Sequence, residues 1–400
     1  MKKSIFITTI ALLVIFLAVS ACDVQNPGPI AEDALNNEEA IPGLVVGMSS
    51  DFSLGYRVTT YWGSVWADEQ IHSGTFAAPT IFRTGNLNSE DVDPWWGSAH
   101  RARWVAENGV ERIRNILEDQ YDANFYAARA NLLAGYANRH LGENVCYAVF
   151  DGGPAEDFTL HFDRSKDFFD EAIRIAENIG NSEIYTAGIA GRASVLAAQG
   201  NWNAAANDAI EVPLDFRHEA IYSLNSGREN NNWPSNTINR GEYSVHNTPW
   251  EGVEDPRLPQ QQVLTEDGEL DTAADGNTPW VTQLKHATEA DNIALSKGTE
   301  MLLIRAEMEL RENQNITAAL EHINEGRKFH GLEDVEAGNL QEAWDILHFE
   351  RGADMWLEGR RFWDLRRWNQ DDGPANHPFL NNRDNCVPIG SEEIGSNENL

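Results

Sequence analysis

Apolar positions recur along this chain at helical spacing, most plainly where Leu340, Trp344 and Leu347 mark one face of a helix. Glu350, Asp354 and Glu358 follow at i, i+4 and i+8 and line a separate, acidic stripe. Arg351, Arg360, Arg361, Arg366 and Arg367 stand close by. Guanidinium forks match carboxylates in a bidentate manner, so this clustering predicts a structural ion-pair network rather than a catalytic pair. Its expected members are Glu350, Arg351, Asp354, Glu358, Arg361, Asp364, Arg366 and Arg367, with Trp356, Phe362, Trp363 and Trp368 packed against neighbouring helices.

Small residues follow a second register. In tetratricopeptide units a small residue lets the first helix pack closely, a Gly-type residue about two turns later ends it, and small residues return in the second helix. Ala193, Gly200, Ala205 and Ala209, closed by Pro213, fit this pattern. Ala306, Asn313 and Ala318 repeat it, with Asn313 in the Gly role because Asn accepts the left-handed cap conformation. Gly135 and Gly142 begin a third copy, whose second helix around Phe169 and Ala172 is displaced by a loop over 147–163. The expected architecture is all-α: helical pairs near 120–213 and 298–368, separated by a loop-rich insertion near 214–298 with little helical period.

The N-terminus adds a different pattern. Lys2 and Lys3 precede an apolar run from Ile5 to Val19, too short for a comfortable membrane span, and the pair reads as a signal peptide. Val19-Ser20-Ala21-Cys22 looks like a bacterial lipobox, which predicts a signal peptide over 1–21 and a lipidated Cys22. A tether over 22–40, polar and punctuated by Pro27, Gly28 and Pro29, then leads to a domain over 41–400. Cys146 and Cys386 are the other two cysteines, and spacing alone leaves open whether they meet.

Two segments carry a family resemblance. Glu350-Arg351, Asp354, Glu358-Gly359, Arg361 and Asp364-Leu365-Arg366-Arg367-Trp368 resemble the signature of the RagB/SusD family. Arg360 replaces the usual His, Phe362-Trp363 reverses an aromatic pair, and Asp354 shortens the usual Glu. Pro388-Ile389, Glu392, Glu393 and Asn397 to Leu400 are similar to the family's closing segment, with Gly390 and Glu398 where prolines are usual. The resemblance implies a tetratricopeptide-like platform with long loop insertions. It also implies a surface-facing lipoprotein of the outer membrane, without enzymatic activity, that captures nutrients, usually glycans, for a SusC-like TonB-dependent transporter. The competing expectation is an envelope tetratricopeptide scaffold that binds only other proteins.

Composition narrows the ligand. Asp and Glu number 63 against 30 Lys and Arg, a formal charge of −33, which opposes nucleic acid and polyanions. No His pair at metal spacing, phosphate loop or nucleophile elbow occurs, and no cofactor is implied. The acidic loops Asp91–Asp93 and Asp267–Asp271 do not complete a calcium-loop spacing, and calcium binding stays open. Sugars present flat C–H faces ringed by hydroxyls, so aromatic faces beside polar groups make a suitable site. The candidates are Trp62, Trp66, Trp96, Trp233, Trp250 and Trp280, with Asn231, Asn232, Asp68 and Arg257 as polar partners. Trp104 and Trp202 occupy helical or repeat positions and are expected in the core.

Overall fold

A computed structural model describes residues 32–400, so the expected signal peptide over 1–21 and Cys22 lie outside the described residues. The chain divides into two compact units, Met1–Ile41 and Pro42–Leu400. The described part of the first holds two short 3-10 turns, Glu32–Leu35 and Glu38–Ala40. The second is mostly helical and carries everything that follows.

It begins with α1 (Ile41–Trp66), α2 (Ala77–Thr84) and α3 (Asp93–Leu117). The helical pairs come next: α4 (Phe125–Asn144) with α5 (Leu160–Ile179), and α6 (Ser182–Ala198) with α7 (Trp202–Ala209). After the insertion, α9 (Gly298–Met308) pairs with α10 (Ile316–Phe329), and α11 (Leu340–Asp354) precedes α12 (Arg361–Asn369). Asparagine side chains start four of these helices: Asn124, Asn181, Asn315 and Asn339 each accept a backbone N–H from the first turn.

The small residues earn their places by close approach. A Cβ on Gly135 would come within 2.7 Å of the Phe169 ring, and one on Gly142 within 2.8 Å of Phe162, so α5 seats its phenylalanines directly on the α4 backbone. Gly142 therefore does not end its helix, which runs on to Asn144. Gly200 does end α6, at φ 77°. In the α9–α10 pair the left-handed cap falls on Gln314 (φ 49°), not on Asn313, because a π-helical turn at Glu309–Asn313 inserts a residue ahead of the cap.

The insertion folds into short antiparallel strands and one small helix, α8 (Trp233–Thr237). Among the described residues all sheets have two strands. β1 (Ile71–His72) pairs with β5 (Tyr243–Ser244), and β2 (Tyr147–Ala148) with β3 (Glu156–Asp157). β4 (Arg217–Ala220) pairs with β8 (Ile293–Lys297), and β6 (Gln260–Gln262) with β7 (Val281–Gln283). Cys146 and Cys386 are joined by a disulfide across 240 residues of sequence. Beside it, Val145 bridges Val387 in parallel, and Ser391–Ser396 forms a last helix, α13.

Candidate functional site

The acidic stripe becomes a set of buried sockets filled from different parts of the chain, but only Glu350 and Asp354 lie on α11; Glu358 stands in the turn beyond its end. Glu350 takes Arg257 at 2.7 Å and also Arg327. Asp354 takes Lys297 at 3.2 Å, the Thr299 hydroxyl at 3.0 Å and the His330 ring at 3.1 Å. Glu358 takes Lys285 at 2.9 Å and Lys297 at 3.0 Å. On α12, Asp364 receives a two-pronged bond from Arg351 at 2.8 and 2.9 Å and a further one from Arg367 at 2.7 Å. Burial opposes ionisation of Asp354, but Lys297, His330 and Arg257 outweigh it and hold the carboxyl far below the usual range. Glu358 is likewise held low, by Lys285 and Lys297 against the penalty of burial.

Arg366 departs from its expected role. Among the described residues no carboxylate takes it; it donates to the backbone oxygens of Glu143 and Val145 and lies over the Phe158 ring at 4.2 Å. Burial brings its pKa down to about 10, with Asp157 pulling weakly the other way. Its guanidinium behaves as a flat packing element with a polar rim.

The network also absorbs two residues expected to face a ligand. Asp68 closes a bidentate pair with Arg361 at 2.8 and 2.7 Å, and Arg257 grips Asp255 at 2.9 and 2.7 Å besides Glu350. Both are buried, so they brace the interior. Beside Asp68, Glu69 accepts the N–H of Leu357 at 2.6 Å, where the chain turns through φ 56° between α11 and α12. Burial pushes this carboxyl up to about 8, helped by the charge of Asp68. A carboxyl raised in the folded state contributes stability that is full below its unfolded pKa and is lost as pH rises through the folded value. Glu69→Gln should therefore gain stability relative to the parent between about pH 4.5 and 8. Thermal unfolding midpoints of the two proteins at pH 5 and pH 8 check this; an unchanged gap counts against it.

The tryptophans fall differently from expectation. Trp62, Trp66 and Trp96 sit in one core cluster, with Trp66 stacked on Phe362 at 3.6 Å between ring centres. Trp233 is buried edge-on to Tyr61, and Trp250 lies under Arg361 against Gly352, where a Cβ would stand 2.4 Å from its ring. Asn231 is spent on a turn, donating to the Asp291 carbonyl at 2.7 Å and accepting from Trp233 N–H at 3.0 Å. Half-buried Asn232 precedes α8 and accepts the Asn236 N–H through its carbonyl. Trp280, half-buried, donates to the Thr237 carbonyl at 3.1 Å and presses on Gly241. Trp62, Trp66 and Trp96 lie on α1 and α3, while the insertion that carries Trp233, Trp250 and Trp280 folds into a layer that covers its own aromatics.

Trp104 reverses the opposite expectation. It is 52% exposed on the outer face of α3. One turn before it, Arg101 pairs with Asp51 at 3.2 Å, and Asp51 also meets Arg228 at 3.5 Å. One turn after it, Asn108 donates to the Trp104 carbonyl at 3.0 Å. An aromatic face flanked by a guanidinium, a carboxylate and an amide is thus open to solvent. Among the described residues no group of three His, Cys, Asp or Glu side chains converges as a metal site, and no helix is long and apolar enough to cross a membrane.

Paired helices carrying a loop layer, locked by a buried charge network at the α11–α12 turn, define a tetratricopeptide-like platform. Residues 286–387 match the SusD family model. The fold is similar to that of the surface glycan-binding protein A from Bacteroides thetaiotaomicron, with a TM-score of 0.70 and 16% identity, covering 91% of this chain and 98% of that one. It is similar as well to a SusD-like carbohydrate-binding protein from Bacteroides vulgatus (TM-score 0.68, 14% identity, 91% and 97% covered). A SusD/RagB family protein from Bacteroides thetaiotaomicron gives a TM-score of 0.65 at 11% identity over 89% and 94%. No curated protein matches the chain. Residues 286–387 thus resemble the SusD family, and over about nine-tenths of the chain the fold is similar to that of SusD-like structures.

Proposed function

We propose that this protein is a non-catalytic, lipid-anchored receptor at the outer-membrane surface, which binds glycan and hands it to a SusC-like TonB-dependent transporter. The observation that carries the reading is the SusD family match over 286–387 on a SusD-like fold. The exposed Trp104 face, with Arg101, Asp51 and Asn108 around it, is the platform this reading assigns to the sugar. Aromatic faces supply contact area at low entropic cost, while the polar groups set orientation. Signature carboxylates buried under fixed cations serve such a receptor by holding the platform rigid.

Calorimetric titration of a form beginning at Asp23 against neutral oligosaccharides tests the glycan half. Saturable binding is expected, weakened in Trp104→Ala by roughly fivefold to tenfold, the worth of one aromatic stacking contact. No binding across the panel would remove it. Affinity capture from outer membranes tests the transporter half, which fails if no large β-barrel is retained.

A further inference from the structure

Two adjoining cavities, of about 280 and 290 Å³, open side by side between α1, α4, α6 and β4 and share Ser49, Arg129 and Ile221 in their walls. Together they form a groove whose chemistry differs from that of the Trp104 face. Its deeper walls are aliphatic, from Leu54, Leu132, Leu133 and Ile184, and Ile221 stands more than half exposed at the mouth. Its rings stand at the margins: Phe125 on the α4 side, His218 on β4 and Tyr222 just past it.

The groove runs along an open strand edge. Arg217, His218 and Glu219 all line it, and the β-bulge between His218 and Glu219 breaks the regular alternation of faces there. β4 pairs with β8 on one side alone. In an antiparallel ladder alternate residues turn their N–H and C=O away from the partner strand. Among the described residues nothing takes those outward groups of β4.

Charge gives the groove a polarity. Arg129, exposed on α4, has no carboxylate partner among the described residues, although acids outnumber bases two to one in the chain. The acids nearby are committed elsewhere: Glu219 to Arg217 and Asn292, and Glu229 to the Ser223 and Ser226 hydroxyls. Glu183 sits in the first turn of α6, where the helix N-terminus suits it. Buried Arg57, on α1, is a second guanidinium without a carboxylate among the described residues; it donates to the Asn230 carbonyl, and its Nε finds no acceptor among them.

We propose that this groove binds an extended peptide segment that adds a strand to the open edge of β4, seats an apolar terminal side chain against Ile184 and Leu132, and places its free carboxylate on Arg129. Main-chain bonds would supply affinity and the pocket specificity, the usual division in strand addition. The proposal is independent of the glycan reading, since it uses other residues on other elements.

The test is fluorescence anisotropy with the mature chain and an N-terminally labelled tetrapeptide, Thr-Val-Thr-Leu, as the free acid and as the C-terminal amide. The acid should bind saturably and the amide about tenfold more weakly, the effect of losing a charge-assisted bond at a surface site. Arg129→Ala should abolish that difference, Ile221→Asp should weaken both forms, and hydrogen exchange at the amides of Arg217 to Ala220 should slow with the peptide bound. Both substituted residues are exposed, so circular dichroism should remain that of the parent. Equal binding of acid and amide, binding that survives both substitutions, or displacement by a neutral oligosaccharide would overturn the proposal.

Discussion

Glu307→Ala is expected to lower the unfolding free energy by about 3–5 kcal/mol, the cost of breaking a buried ion pair from one side. Glu307 is fully buried in α9 and accepts from Arg311 at 2.9 Å, from Arg367, and from the Trp368 indole N–H at 3.0 Å, with Arg351 at 3.9 Å. Burial by itself would raise its pKa, but Arg367, Arg311 and Arg351 outweigh that and hold it far below the normal carboxylate range. Truncation leaves those guanidiniums facing one another, with Asp364 and Asp371 alone to compensate. A carboxylate depressed in the folded state contributes stability that is present above its unfolded pKa and is lost as pH falls through the folded value. The gap between parent and variant in urea unfolding should thus be full at pH 7 and shrink below about pH 4.5. Asp122→Asn, which removes an exposed partner of Arg174, should leave the midpoint nearly unmoved. A Glu307→Ala midpoint as close to the parent as that of Asp122→Asn would refute the keystone role.

Glu307 was also among the network members that sequence reading missed, and the reason is physical. Glu350, Asp354 and Glu358 declared themselves because they recur at helical spacing among arginines, although the helix stops at Asp354. Their partners come from far away: Arg257 and Lys285 from the insertion and Lys297 from β8, while Asp68, just after α1, reaches Arg361. Glu143 and Glu300 likewise meet Arg360 at 3.1 and 2.9 Å from two other helices. Local periodicity reports which face of a helix is charged; it carries no record of which distant segment neutralises it. The helical pairs were legible because small residues leave a local trace, as Gly135 under Phe169 shows. The π-turn before Gln314 was not, since the composition of Glu309–Asn313 is ordinary for a helix. Ligand candidates misled for a related reason. Trp233 and Trp250 stand beside Pro, Asn and Thr, a composition that marks turns, but turn composition says nothing of whether a second layer covers the turn. Trp104 carries the converse lesson: helical position places a residue on a helix, while its neighbours decide which side of that helix meets water.

Loss of the Cys146–Cys386 disulfide, by reduction or by paired Ser substitution, should cost about 2–5 kcal/mol, mostly through the unfolded chain. The bond closes a loop of 240 residues, and the entropy removed from the denatured ensemble grows with the logarithm of loop length. The folded state should barely change, because other bonds already hold the two segments in place. Val387 N–H donates to the Asn144 carbonyl at 2.8 Å, Cys146 N–H to the Val387 carbonyl at 2.9 Å, and both valines are fully buried. Near-ultraviolet dichroism of the reduced protein should therefore match that of the oxidised one, while its urea midpoint falls. Equal midpoints would mean that the denatured chain keeps these ends together without the bond. A fall in midpoint together with lost native dichroism would mean instead that the bond is needed to form the Val145–Val387 bridge. The expected pattern has a consequence for where the chain works. A disulfide that stabilises by this much is useful only in an oxidising compartment. An extracytoplasmic setting would meet that condition, whereas in a reducing cytoplasm the fold would lack this contribution and rest on its packed core and buried charges.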